Sequence, residues 1–423
     1  MRVLYLSPRI CWPLRSGAHL RDFHLARQIA RRVSLFYVGL DAEGLAPGED
    51  MRHERLPELP DVEVVRVRRE AGYSWLNLLR GFVGPTPVSI LNFTTPVLMS
   101  ALERLFRQQT FDAVQLESVH LIAYAKLIRR MAPKVPVLCD WHNIESEIQG
   151  RYAENYSGRL RSVYARRTAQ LLRRSEQEFL RLGDAHTVCS ERERQVLLAL
   201  EPKARIAVID NGVDVAYFSH TQRLPAGPRL NLVYVGLMEY HANVDAVTYF
   251  AREIWPRVRQ LRPELHFVIV GARPRPEVVI LAKQPGITVT GTVEDLRPYY
   301  RQALAAVVPL RVGGGTRLKI LEAMAAGTPV ISTALGAEGL QVKDGEELVL
   351  ADTPALMANA VAGLYEDSSE WRRLAENGRK LVLSRYDWPV IGEKLTRVYA
   401  ENLGVSPEGS AGQMQISGAT GDF

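Results

Sequence analysis

The chain has 423 residues, 47% of them hydrophobic and 24% charged, with a formal net charge of +6. That length exceeds what one hydrophobic core usually serves, so two α/β domains of a soluble globular protein are expected. The positive balance suits anionic partners such as nucleotides, phosphorylated lipids or an acidic membrane face, while the three cysteines, Cys11, Cys139 and Cys189, are too scattered for a disulfide framework or a thiolate metal site.

In chain order, Arg2–Ser7 reads as a strand followed by a polar turn rather than a signal peptide. Leu20, Phe23, Ala26 and Ala30 mark one face of the next helix. Further strands are expected at Ser34–Val38, Val62–Val67, Ala113–Leu116, Val135–Cys139 and His186–Val188, and Ser190 with Glu193 has capping-box spacing. A second alternating series starts at Leu230–Val235. Its helix carries Val247, Phe250, Ile254, Val258 and Leu261 on one face, and strands follow at Phe267–Val270, Ile287–Thr290, Ala305–Pro309, Pro329–Ser332 and Leu348–Leu350. Short apolar runs alternating with helical periods predict βαβ units, hence two doubly wound halves. Turn residues gather between Asn211 and Gly227, where the halves join. No apolar run reaches the ~20 residues that span a bilayer.

The most informative stretch runs from Pro309 to Ile331: a strand, the triple-glycine turn Gly313-Gly314-Gly315, a helix opening at Thr316 and a second strand. Glycines let backbone amides approach a ligand, and a helix N-terminus adds a positive dipole end. Arg317 and Lys319 bring charge to the same turn. Glu322 sits nearly two turns in, where a carboxylate can accept from paired ribose hydroxyls.

With its Glu322-Ala323-Met324-Ala325-Ala326-Gly327-Thr328-Pro329-Val330-Ile331 module, this stretch resembles the donor site of family 4 of the retaining GT-B glycosyltransferases. The likeness extends over almost the whole chain: Gly17 after the first strand, Ile209-Asp210-Asn211-Gly212-Val213-Asp214 between the halves, Val235-Gly236, Val268-Ile269-Val270-Gly271, Gly336-Ala337-Glu338-Gly339-Leu340 and Arg385-Tyr386-Asp387-Trp388 arrive in the family's order. It is nearest to transferases of bacterial exopolysaccharide and surface systems. The resemblance implies an α/β fold of the GT-B type, with two Rossmann-like domains facing across a cleft. The corresponding division is an acceptor-side domain over 1–215, a linker over 216–229, a donor-nucleotide domain over 230–384, a helix over 385–403 crossing back onto the first domain, and a disordered tail over 404–423. It also implies transfer of a sugar, with retention, from a UDP-, GDP- or other nucleoside-diphosphate sugar to a glycan, lipid-linked or small-molecule acceptor.

Carried over residue by residue, the donor site comprises Gly17, Gly236, Gly313, Gly314, Gly315, Thr316, Arg317, Leu318, Lys319 and Glu322, with the backbone at Thr292 and Val293 reading the nucleobase edge. The chain departs from the pattern in two places. Gly314 stands where many relatives have a first glutamate, and Gly236-Leu237-Met238-Glu239-Tyr240-His241 lacks the arginine and lysine that commonly grip the diphosphate. Arg317 and Lys319 are expected to take over that charge. On the N-terminal side, Asp140 and His142 follow a buried-looking strand whose end faces a ligand cleft, and Glu117 ends an earlier one. His142 either faces the sugar or acceptor or is a hydrogen-bonded core residue, and Glu117 either orients or deprotonates the acceptor hydroxyl or is structural.

No Asp-x-Asp pair is present, so neither a metal nor a cofactor is expected. A Gly-x-Gly-x-x-Gly after the first strand, which a nicotinamide enzyme needs, is missing, and no nucleic-acid partner is indicated. A sugar-nucleotide epimerase of the same fold and a non-catalytic nucleotide-sugar-binding module are the alternatives. The apolar stretch Trp75–Phe93 and the basic helix carrying Arg161, Arg166, Arg167, Arg173 and Arg174 are either a peripheral dock at the inner face of the plasma membrane or an ordinary core segment beside a solvated helix. The setting expected is cytoplasmic.

Overall fold

The computed structural model describes residues 1–14, 17–41, 44–46, 48–69, 74–155, 159–219, 229–313 and 318–404, with the backbone alone at 151–155 and 159–161. Gly314, Gly315, Thr316, Arg317 and the tail from 405 lie outside these residues.

Two sheets form from the apolar runs. The first has eight strands in the order Met51–Leu56, Leu59–Arg68, Ser34–Asp41, Arg2–Ser7, Ala113–Glu117, Val137–Trp141, Ala185–Val188 and Ile206–Val208. All neighbours are parallel except the first pair. The second has six parallel strands in the order Ile287–Val289, His266–Val270, Asn231–Val235, Ala303–Val308, Val330–Ser332 and Val349–Leu350. Central strands such as Ala303–Val308 are buried along their whole length, as a sheet covered by helices on both faces requires. This is the α/β, two-domain architecture that the alternating pattern predicts.

Several boundaries move. Val137–Trp141 replaces the expected Val135–Cys139, which brings Asp140 into the strand itself. Met51–Leu56, with the polar sequence MRHERL, is an additional antiparallel edge strand. Trp75–Phe106 resolves into helices Trp75–Val83, Val88–Phe93 and Pro96–Gln108. Ser190 caps helix Glu191–Leu200 by accepting from the Glu193 amide. The helix of the second half widens into a π turn over Phe250–Ile254 just before Pro256, where proline supplies no amide for the regular ladder.

Val213, Val215 and Phe218 pack in the second domain's core. The last helix, Trp388–Leu403, packs on the first: Trp388, Ile391, Leu395, Val398 and Tyr399 share a cluster with Val3, Tyr5, Phe23 and Leu25. His24 stacks on Trp388 with centroids 4.6 Å apart.

Candidate functional site

In the first sheet Arg2–Ser7 lies between Ser34–Asp41 and Ala113–Glu117, and in the second Asn231–Val235 lies between His266–Val270 and Ala303–Val308. Such central strands are the switch points of doubly wound sheets, and ligands bind beyond their C-terminal ends. A cavity of about 580 Å³ opens there, lined from the first domain by Leu14, Gly17 and Leu20 and from the second by Gly236, Asn243, Thr292, Val293, Leu318, Lys319 and Glu322, among others. A cavity of this size holds a drug-sized ligand.

The domains touch at its rim, since a Cβ on Gly17 would lie 3.3 Å from Leu318 Cδ1. Gly236 ends the central strand of the second sheet and leaves room for a cation: a Cβ there would meet Asn243 Nδ2 at 2.8 Å and Lys319 Nζ at 3.1 Å. Lys319 Nζ donates to Tyr234 Oη at 2.8 Å and Asn243 Oδ1 at 2.9 Å, over the Tyr234 ring. Glu322 Oε2 accepts from Tyr300 Oη at 2.9 Å. Burial pushes the Glu322 carboxyl upward, while the Tyr300 bond and the Lys319 charge pull it down. Gly313, in the left-handed region at φ 115°, is the last described residue before the helix Leu318–Ala325.

Beneath the first domain's strand ends lies a second polar cluster. Ser7 Oγ donates to Asp22 Oδ2 at 2.8 Å, and Arg9 Nη1 reaches the same oxygen at 3.1 Å. His142 Nε2 lies 2.8 Å from Asp22 Oδ1 and 3.0 Å from Glu117 Oε2. Glu117 Oε1 accepts from Gln115 Nε2 at 2.5 Å, and Gln115 Oε1 accepts from Tyr399 Oη at 2.5 Å. Arg21 forks onto Asp140, with Nη2 to Oδ1 at 2.6 Å and Nε to Oδ2 at 2.8 Å, and Thr187 Oγ1 donates to Oδ1 at 2.5 Å.

Burial alone would lower the His142 pKa, but the Asp22 charge and the bonds to Asp22 and Glu117 outweigh it and hold the imidazole at about 9. Burial raises the Asp22 carboxyl, yet His142 and Arg9 bring it to about 2. Burial and the Asp140 charge lift Glu117 to about 7. The ligand atoms of Asp22, Glu117 and His142 lie within 4.8 Å of one another, a span that would suit a metal ion. The ring nitrogen lies 2.8 Å from one carboxylate and 3.0 Å from the other, and its hydrogen bond is the one to Glu117.

Residues 23–217 match the model of glycosyltransferase family 4, and residues 229–367 that of glycosyl transferases group 1. The chain belongs to this glycosyltransferase family. It is similar to a glycogen synthase of Mycobacterium tuberculosis, 28% identical over 293 residues and 66% of each chain. It is also similar to a phosphatidyl-myo-inositol mannosyltransferase of Mycobacterium leprae, 30% identical over 200 residues, 45% of this chain and 52% of that one. The aligned regions thus span about two thirds and about half of these relatives. Among solved structures, sucrose-phosphate synthase from Thermosynechococcus elongatus superposes with a TM-score of 0.70 at 19% identity, covering 96% of this chain and 100% of that one. Anabaena HepE in complex with UDP and glucose gives 0.64 at 15%, covering 95% and 100%. The fold is GT-B.

Within this glycosyltransferase the predicted donor residues Gly17, Gly236, Thr292, Val293, Leu318, Lys319 and Glu322 gather on one cavity. His142, Glu117 and Asp140 gather in the polar cluster instead. Helix Gly17–Ala30 joins the two sites: Gly17 and Leu20 line the cavity, and Arg21 and Asp22 enter the cluster. The surroundings of two of these carboxylates bear on their roles. Glu117 is fully buried with both carboxylate oxygens engaged, so it is not placed to deprotonate an acceptor. Asp140 is equally buried and tied to Arg21 and Thr187. Sequence reasoning missed Arg9, Arg21, Asp22, Tyr234, Asn243 and Tyr300. Tyr234 directly precedes the Val235-Gly236 pair already singled out, and Asn243 lies in the helix His241–Tyr249 that follows it. Arg21 and Asp22 looked like the solvent face of an amphipathic helix, and nothing local marks them as buried.

Proposed function

We propose that this glycosyltransferase moves a sugar from a nucleoside-diphosphate sugar to a hydroxyl of a glycan, lipid-linked or small-molecule acceptor, retaining the anomeric configuration and using no metal. The observation that carries the reading is the interdomain cavity, in which Lys319 and Glu322 stand at the opening of one helix beside Gly236 and opposite Gly17. A cationic amine suits a diphosphate and a carboxylate suits paired ribose hydroxyls. The names of the relatives, a synthase of glycogen and a mannosyltransferase, and a neighbour solved with UDP and glucose, lend support.

In this reading Lys319, with Arg317 from outside the described residues, stabilises the charge that develops on the departing diphosphate. In the same reading the acceptor proton leaves with the donor phosphate. Glu322→Gln should weaken nucleoside diphosphate binding roughly tenfold or more, measured calorimetrically with UDP, GDP and ADP in parallel. Unchanged affinity would remove Glu322 from the donor site. Product analysis in EDTA, with and without an acceptor, settles the rest. Sugar transfer with inverted stereochemistry, epimerised donor without acceptor, or loss of turnover in EDTA would each overturn the corresponding clause.

A docked position on an anionic membrane fits the same reading. On helix Trp75–Val83, Trp75 is 70% exposed, Phe82 62% and Val83 71%, with Leu76, Leu78 and Leu79 also exposed. The neighbouring helix Arg159–Leu182 adds exposed Val163 and Arg166, and Phe82 stacks on its Tyr164. Exposed apolar patches of this kind mark interaction sites, and the flanking Arg80 and Arg166 select an anionic surface. Arg167 is not part of this set, because it caps the helix through the Gly81, Val83 and Gly84 carbonyls. Among the described residues no helix is long and apolar enough to cross a membrane. Trp75→Ser with Phe82→Ser should reduce flotation with anionic vesicles about tenfold or more, since each buried aromatic contributes about 1.5–3 kcal/mol. Equal flotation of wild type and variant ends the idea.

A further inference from the structure

We infer that Tyr217 is the platform on which the donor's nucleobase stacks, one face of its ring backed by Arg297 and the other turned to the interdomain cavity. The inference rests on the proposed function for the presence of a nucleotide, and adds what holds its base.

Tyr217 belongs to the short helix Val215–Ser219, where the chain enters the second domain. Its neighbours Val215 and Phe218 enter that domain's core and anchor the helix. Tyr217 does not share their burial: it is 42% exposed and lines the cavity with Thr292, Val293 and Leu296. Its amide donates to Asp214 Oδ1 at 2.9 Å, which fixes the backbone beneath the ring.

One face of the ring is already taken. Arg297 Cζ stands 4.3 Å from the ring centroid, and a cation is attracted to that face by the ring quadrupole. The guanidinium is clamped in turn, with Nε 2.9 Å from Asp295 Oδ1 and Nη2 2.9 Å from Asp295 Oδ2. Among the described residues on the cavity wall Tyr217 is present and Arg297 is not, so the cavity meets the side of the ring away from the guanidinium. Every nucleobase offers a π face to such a surface.

The surroundings place this ring with the base and ribose groups. Asp295 lies in the loop between Val293 and the helix Arg297–Arg301, so the clamp behind the ring and the Thr292–Val293 backbone belong to one segment. Phe218 meets Tyr217 edge-on at 5.1 Å, Tyr300 meets Phe218 edge-on at 6.1 Å, and Tyr300 Oη donates to Glu322 at 2.9 Å. Tyr240, the other tyrosine on the described wall, stands with the cation instead: its carbonyl accepts from the Asn243 amide at 3.0 Å, and Asn243 Oδ1 accepts from Lys319 at 2.9 Å.

Calorimetry of the full chain with UDP, GDP and ADP tests the stack, and both substitutions leave the core untouched. Tyr217→Phe, which keeps the ring, should bind the preferred diphosphate within about twofold of wild type, whereas Tyr217→Leu, which keeps bulk but has no π face, should bind it roughly five- to hundredfold more weakly. In the wild type the ring protons of labelled Tyr217, assigned through Tyr217→Phe, should move upfield in NMR spectra when that diphosphate is added. Equal affinity of wild type and Tyr217→Leu overturns the inference, and so do ring protons that stay in place in the diphosphate complex. A wild type that binds none of the three diphosphates brings down the transfer reading and the inference with it. A wild type that binds one of them no better than Tyr217→Leu does brings down the inference alone.

Discussion

Replacing Lys319 with methionine should lower kcat/KM for the sugar nucleotide roughly ten- to hundredfold, the weight of one charge-assisted phosphate contact of about 1.5–3 kcal/mol. The fold should survive, because Tyr234 Oη still donates to Asn243 Oδ1 at 2.7 Å once the ammonium is gone. A ladder of ligands isolates the cause. Nucleoside diphosphate affinity should fall, while affinity for the bare nucleoside, which lacks the phosphates, should not. Loss of both in equal measure would mean that Lys319 shapes the pocket instead of gripping the donor. Gly236→Ala should act in the same direction, since its methyl would crowd the ammonium.

The largest stability effect is expected at Arg21. Its guanidinium is 1% exposed and bonds Asp140 through two nitrogens, the Ile209 carbonyl at 2.9 Å and Asn211 Oδ1 at 2.9 Å. Arg21→Met removes one partner of a buried pair and strands Asp140, a loss of about 3–5 kcal/mol, or a melting temperature lower by on the order of 10 °C. The pH dependence has a definite sign. Burial would raise the Asp140 carboxyl, but Arg21 holds it below the usual aspartate range. The pair's contribution is therefore present above the unfolded aspartate value near 3.8 and is lost as pH falls through the lower folded value. Without Arg21 the carboxyl rises, and the variant pays for each step of ionisation as pH increases. Calorimetry should find the gap between wild type and variant wide at pH 7.5 and narrowing below pH 4. A constant gap would place the loss in packing rather than in the ion pair.

What the sequence made legible follows from which residues act locally. Strands such as Ala303–Val308 announce themselves as apolar runs, and Ser190 marks its helix by the amide it caps. The donor residues were legible because one short segment, Gly313–Glu322, carries most of their chemistry. The polar strand Met51–Leu56 was not, because pairing with Leu59–Arg68 at an edge holds it without burying much of it. The polar cluster was least legible. Helix Gly17–Ala30 is covered on one side by its own sheet and on the other by Trp388–Leu403, which is 370 residues further along the chain than Ala18. That second cover turns an ordinary solvent face into an interior one, and Arg21 and Asp22 into buried ions. Glu117 and Asp140 were picked out as catalytic candidates, but their oxygens are occupied by Gln115 and Thr187 on two strands, by Arg21 on a helix and by His142 just beyond a strand, which no local pattern reveals.

The chain crosses between the domains twice, and the crossings are stitched together: Val213 bridges Asp387 in parallel, and the Val213 amide donates to the Tyr386 carbonyl at 2.8 Å. Lys394 and Arg385 both reach Asp210 beside that seam. Both tethers therefore lie at one seam, and together they keep the two halves within reach of each other, with Gly17 and Leu318 facing across the cavity.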